Sequence, residues 1–174
     1  MSADSSEKRK EGLSHKEAGN RYFKANEFSK ALKEYHYALL HLRGLNSDAM
    51  NVAKPRDPET MTEDEVTEQD KELSAISSNI AACHMRLQRY DRVVFCANEA
   101  LKTNPFNKKA KFRLAQGYVR EGALGKASKL LDELEKDSPN DQGFAAERRN
   151  IELKEKQAEE KQRKEFAGMF DRSK

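Results

Sequence analysis

The sequence predicts an all-α chain: three helix-turn-helix repeats stacked into a right-handed superhelical solenoid with a concave groove, closed by a long C-terminal capping helix. Three observations carry that expectation. The segments SSNIAACHMRLQRYDRVVFCANEALKTNPFN and KFRLAQGYVREGALGKASKLLDELEKDSPND lie in register, with Pro105 and Pro139, Ala81 and Ala115, and Val93 and Ala127 each 34 residues apart. That separation is the period of a repeat made of two antiparallel helices. A third segment, EAGNRYFKANEFSKALKEYHYALL, puts Gly19, Tyr22, Ala31, Tyr35 and Ala38 on the same template. The composition agrees: 8 Gly and 4 Pro in 174 residues, with 36% hydrophobic and 36% charged, suit a helical protein with wide solvated faces.

Taken in order, residues 1–11 are expected to be a flexible N-terminus, followed by a repeat domain over 12–140. Repeat one spans about 12–45, and Gly19 is its close-packing position. The equivalent positions are Ala81 and Ala115, because the two helices of a repeat cross closely there and a larger side chain would hold them apart. Tyr22 and Tyr118, with His84 as a weaker substitute, fill the space beside each crossing. Gly19 to Ala81 exceeds one period by 28 residues, so an insertion over about 46–73 separates the first two repeats. Pro55 and Pro58 mark its irregular part, and Thr62 with Glu65 reads as a capping box. From there EDEVTEQDKELSAISSNIAACHMRLQ lacks Gly and Pro, so the first helix of repeat two should be extended at its N-terminal end.

Repeat two then spans about 74–107 and repeat three about 108–141. Residues 141–174 should form the capping helix and tail. Phe144, Ala145 and Ile151 would cover the apolar face that the last repeat leaves open. The outer stretch ELKEKQAEEKQRKE alternates charge at i, i+4 spacing and can stand in water.

Several function classes are excluded. A net charge of +3 from 33 basic and 30 acidic residues does not make a nucleic-acid face. No apolar run approaches the roughly 20 residues of a membrane span, and MSADSSEKRK has no signal-like segment. Cys83 and Cys96 sit in apolar helical patterns without metal or redox spacing, as expected for reduced core residues in a cytoplasmic protein. His15, His36, His41 and His84 occupy scattered repeat positions without a carboxylate or cysteine motif, so no metal or cofactor is expected. Ser14, Ser77 and Ser78 lack a base at motif spacing and no glycine-rich phosphate loop exists, so no catalytic residue is assigned and the chain reads as a non-enzyme.

What remains is a polar constellation. Lys16 and Asn20 in KEAGN, and Lys109 and Arg113 in KAKFR, each have the i, i+4 spacing that puts both side chains on one helix face. Asn79 in SSNIAA supplies the middle repeat, so the five residues fall at matched positions of all three repeats and could converge on one carboxylate. Phe23, Lys24, Met85, Arg86 and Arg120 are the other expected inward positions.

On GNRYFKANEFSKALKEYHYAL and these five polar residues, the chain resembles the tetratricopeptide-repeat (TPR) co-chaperones that carry a carboxylate clamp. Within them, YHYALLHLRGL followed by a long insertion is similar to the tetratricopeptide repeat protein 9 family, and EFAGMF to the C-terminal tails of TPR immunophilins. The resemblance implies a concave peptide groove that binds the Glu-Glu-Val-Asp tail of Hsp90 or Hsp70. Lys16, Asn20 and Asn79 would grip the terminal carboxylate, Lys109 would pair with the last aspartate, and Arg113 would contact the peptide just upstream. The alternative is a scaffold that binds an internal or helical segment of another protein. The tail KQRKEFAGMFDRSK, joining basic residues to Phe166, Met169 and Phe170, leaves room for a second protein contact, and the chain is expected to be a monomer.

Overall fold

Seven α-helices and one short 3-10 turn follow one another in the structure, a computed structural model that describes residues 3–44, 57–58 and 60–171. The helices are α1 (Ala3–Lys24), α2 (Phe28–Gly44), α3 (Glu68–Arg86), α4 (Tyr90–Thr103), α5 (Lys108–Glu121), α6 (Leu124–Asp137) and α7 (Gln142–Asp171). No strand occurs among the described residues. Each of α1–α2, α3–α4 and α5–α6 is an antiparallel pair packed on the next, and α7 lies against α5 and α6. This is the stacked helix-pair solenoid that the 34-residue register predicts.

The backbone repeats the register independently of the side chains. Asn26 (φ 60°), Gln88 (φ 57°) and Gly122 (φ 84°) are the left-handed residues of the three intra-repeat turns, and they stand in the same offsets as Gly19, Ala81 and Ala115. A left-handed residue reverses the chain after a helix with little steric cost for Gly or Asn and more for Gln.

The close crossings have direct causes. A Cβ built on Gly19 would lie 2.6 Å from Tyr35 Cε1, so only glycine lets α2 approach α1 there. A second such contact precedes it by two turns, where a Cβ on Gly12 would stand 2.8 Å from Leu42 Cγ. That contact explains why α1 reaches back to Ala3 rather than starting near residue 12: its first turns lie along α2, and Arg9 ties them to α3 through a 2.9 Å ion pair with Glu72. The core runs through the stack in three overlapping clusters, built around Tyr35, Leu42 and Ile76, around Val93, Ala97 and Leu114, and around Leu131, Phe144 and Ile151.

Thr62 and Glu65 do bond reciprocally, the Thr62 N–H donating to Glu65 Oε2 at 2.7 Å, but they head the 3-10 turn Glu63–Glu65. The α3 helix itself starts behind a second box, in which the Thr67 N–H donates to Asp70 Oδ2 at 3.0 Å. The added turn of α3 is put to use, since Gln69 Nε2 donates to the Leu42 carbonyl at the end of α2 at 2.8 Å. Of the insertion, residues 45–56 with Pro55, and Glu59, lie outside the described residues.

Buried Ser74 joins three helices: its hydroxyl donates to the Ala100 carbonyl of α4 and accepts from Asn107 Nδ2, both at 2.8 Å. Asn107 also caps α5, accepting from the Ala110 N–H at 3.1 Å. This network sets the entry angle of α5 and hence the direction of its groove-side residues. On α7 the buried stripe is Phe144, Glu147 and Ile151, while Ala145 faces solvent because it lies about 100° around the helix from Phe144. Lys164 and Glu160, at 2.7 Å, exemplify the i, i+4 pairs on its outer half.

Candidate functional site

Four helices converge on a pocket of about 160 Å³ lined by Asn20, Phe23, Lys24, Tyr35, Asn79, Ala82 and Arg113. Asn20, Phe23 and Lys24 come from the last two turns of α1, Asn79 and Ala82 from α3, and Arg113 from α5, with Tyr35 of α2 closing the floor. Folding therefore brings together Asn20, Asn79 and Arg113, which are 93 residues apart at the extremes of the sequence.

The polar groups are linked. Asn20 Oδ1 accepts from the Tyr35 hydroxyl at 2.8 Å and from Asn79 Nδ2 at 3.2 Å. Arg113 is mostly buried, its Nε donates to the Ser78 carbonyl at 3.1 Å, and no carboxylate among the described residues pairs with it. Burial, and then the nearby charge of Arg86, push its guanidinium pKa down, while Cys83 and Tyr35 act the other way. A guanidinium stays charged in proteins regardless, so the pocket holds a desolvated cation without a counter-ion. That is an arrangement a bound carboxylate would relieve.

Lys16 is half-buried and Lys109 exposed; neither lines the pocket, and neither is ion-paired among the described residues. Phe23 stacks edge-on against Phe28 with ring centroids 5.4 Å apart. Met85 packs beside the Val93–Leu114 cluster, and Arg86 is exposed. Arg120 points to the other end of α5, 3.5 Å from Glu147 Oε1 of α7. Glu147 is only 5% exposed and also accepts from Gln116 Nε2 and Asn150 Nδ2, both at 3.1 Å. Arg120 is thus a strut between α5 and α7.

Two pocket residues escape the sequence reading. Ala82 is a small wall, and Tyr35 reads there only as a packing residue. The available signal was a tyrosine at a buried repeat position where phenylalanine would fill the same space, since a buried hydroxyl needs a partner.

The histidines are less scattered than their positions suggest. His15 and His41 stack with centroids 5.4 Å apart, and each meets a carboxylate, Glu34 at 2.7 Å and Glu11 at 3.1 Å. No group of three His, Cys, Asp or Glu that could hold a metal occurs among the described residues. Burial, aided by Arg89 and Arg92, lowers the His84 pKa and keeps that ring neutral. Burial raises both thiol pKa values, that of Cys83 to about 12, which fits inert core residues. No helix among the described residues is long and apolar enough to cross a membrane. Phe166 is exposed, and the side chains of Met169 and Phe170 lie outside the described residues.

No family model matches the chain. It is 28% identical to tetratricopeptide repeat protein 9C of Xenopus tropicalis over 168 residues, covering 90% of each. It is 26% identical over 155 residues to the peptidyl-prolyl cis-trans isomerase FKBP42 of Arabidopsis thaliana, where the match covers 87% of this chain but only 39% of the relative. Among solved structures, the Hsp90 co-chaperone Cns1 from Saccharomyces cerevisiae superimposes with a TM-score of 0.72 at 20% identity, covering 96% of this chain and 46% of that one. The first TPR of Spaghetti (RPAP3), bound to the HSP90 peptide SRMEEVD, gives 0.60 at 21% identity, covering 83% and 93%. The second TPR domain of human RPAP3, in complex with the HSP70 peptide SGPTIEEVD, gives 0.61 at 16%, covering 83% and 98%. The chain has the fold of a tetratricopeptide-repeat solenoid and is similar in sequence to tetratricopeptide repeat protein 9C and to the TPR-containing part of an FKBP-type isomerase.

Proposed function

We propose that this protein is a non-catalytic adaptor that captures the acidic C-terminal tail of Hsp90 or Hsp70, ending Glu-Glu-Val-Asp, and acts as a co-chaperone. The observation that carries the reading is Arg113, largely withdrawn from solvent and without a carboxylate partner among the described residues, beside the amides of Asn20 and Asn79. A peptide's terminal carboxylate enters a groove only where charged and amide donors replace its water. Asn20 and Asn79 supply amide hydrogens, Arg113 supplies charge from within, and Lys16 and Lys109, which do not line the pocket, would add charge from the same helices, α1 and α5. Each charge-assisted hydrogen bond contributes roughly 1.5–3 kcal/mol. Ordering a flexible tail offsets much of that, so a micromolar dissociation constant, about −8 kcal/mol, is expected. Two structural neighbours that bind SRMEEVD and SGPTIEEVD on the same fold support the choice of ligand.

The test is calorimetry of SRMEEVD and SGPTIEEVD against wild type, Lys109→Ala and Arg113→Ala. Either substitution should weaken binding by about tenfold or more, the loss of roughly one charged contact. Unchanged affinity in both variants would overturn the clamp.

A further inference from the structure

We infer that Tyr35 is a positioning residue for this site: its hydroxyl holds the Asn20 carboxamide with the oxygen turned inward, which leaves the amide nitrogen facing the pocket as a donor. The inference rests on the terminal-carboxylate reading above and adds a residue of α2 to a site otherwise built from α1, α3 and α5.

The argument starts from the direction of each proton. Tyr35 is 1% exposed, and its hydroxyl lies 2.8 Å from Asn20 Oδ1. A phenol has one proton to give, and a buried one must find an acceptor. Asn79 Nδ2 reaches the same oxygen at 3.2 Å, so both lone pairs of Asn20 Oδ1 are used by donors. With Asn79 Nδ2 directed at it, rotating the Asn20 amide alone by half a turn would set its NH2 group against the NH2 of Asn79 and take from the phenol its acceptor on Asn20. In the observed orientation Asn20 Oδ1 takes both donors, and Asn20 Nδ2 has no partner among the described residues, which leaves it to donate to a ligand.

The ring that carries the hydroxyl is itself fixed. It sits over Gly19, where a Cβ would be 2.6 Å from Cε1 and 2.7 Å from Cδ1, and it packs among Ala31, Ala38, Ile76, Ile80 and Cys83. The same glycine that admits α2 to the crossing thus delivers a hydroxyl to the neighbouring residue, Asn20. Burial also holds the phenol protonated across the working range, since its pKa is pushed up to about 12. The donor is therefore present whenever the peptide carboxylate is charged.

The test is a double-mutant cycle with Tyr35→Phe and Asn20→Ala, read by calorimetry with SRMEEVD as the free acid. Tyr35→Phe should weaken binding roughly three- to tenfold, the worth of one neutral hydrogen bond, in the wild-type background. In the Asn20→Ala background it should have no further effect. A merely structural role would lower affinity equally in both backgrounds, and that result, or no effect in either, would overturn the inference. The side-chain amide resonances of Asn20 give a second readout that needs no peptide. They should shift and exchange with solvent faster in Tyr35→Phe, and unchanged resonances would overturn the inference as well. If wild type fails to bind the acid peptide, the proposed function falls, while the amide resonances still decide whether Tyr35 orients Asn20.

Discussion

Replacing Gly19 with alanine joins fold and site in one perturbation. A Cβ there would stand 2.6, 2.7 and 3.0 Å from three atoms of the Tyr35 ring, where ordinary contact begins at 3.4 Å. The ring must retreat by about 1 Å, and it has no empty space to enter because Tyr35 is 1% exposed. Overpacking of this kind costs about 1–3 kcal/mol. The same retreat takes the hydroxyl from 2.8 Å out of hydrogen-bond range of Asn20, which costs about 1 kcal/mol more. Alanine recovers about 1 kcal/mol of helix propensity in the interior of α1. The net expectation is a loss of about 1–3 kcal/mol, which for a chain of this size lowers the melting temperature by about 2–4 °C per kcal/mol. Urea denaturation followed by far-UV circular dichroism measures it. Gly125→Ala is the control, since nothing lies within 4 Å of a Cβ there, and it should be neutral or stabilising by up to about 1 kcal/mol. A Gly19→Ala protein as stable as wild type would refute the close-crossing argument.

Gln88, held at φ 57°, should be improved by glycine: Gln88→Gly should raise stability by about 0.5–1 kcal/mol in the same denaturation assay, and a loss would contradict the strain assigned to that turn. Glu147→Ala leaves Arg120 and Gln116 without their acceptor, so hydrogen exchange along 142–151 should quicken and stability fall by about 1–3 kcal/mol; an unchanged exchange profile would remove the strut. Cys83 and Tyr35, both raised to about 12 in the folded chain, favour the folded state fully below their unfolded pKa values of 9.0 and 10.0. That contribution is lost as pH climbs from about 9 towards 12, so the urea midpoint should fall over that range, and a midpoint that rises there would contradict the assignment.

The register of the repeats was legible because close crossings restrict residue type: Gly19, Ala81 and Ala115 are small for a geometric reason, and the period follows from them. The N-terminal reach of α1 was hidden because MSADSSEKRK is apolar only at Met1 and Ala3 and carries no helical stripe. Gly12, seven residues before Gly19 and so on the same helix face, was the sign of a second crossing. The Thr62–Glu65 box was visible, yet sequence could not tell that the Thr67–Asp70 box would start the long helix, since both have the same spacing. Ala145 was misread because one apolar letter was taken for part of a stripe, whereas the stripe includes the buried carboxylate of Glu147, which no hydrophobic pattern reveals. In the site, spacing sufficed to gather Asn20, Asn79 and Arg113 at one pocket. It could not foresee Tyr35, because a hydrogen bond between α2 and α1 depends on their crossing distance.

The most direct measurement is the affinity of wild type for SRMEEVD as free acid and as C-terminal amide, at low and at moderate salt. Capture of a terminal carboxylate predicts that amidation removes most of the binding and that the acid form weakens as salt rises. Equal affinity for the acid and the amide would contradict the account at its centre.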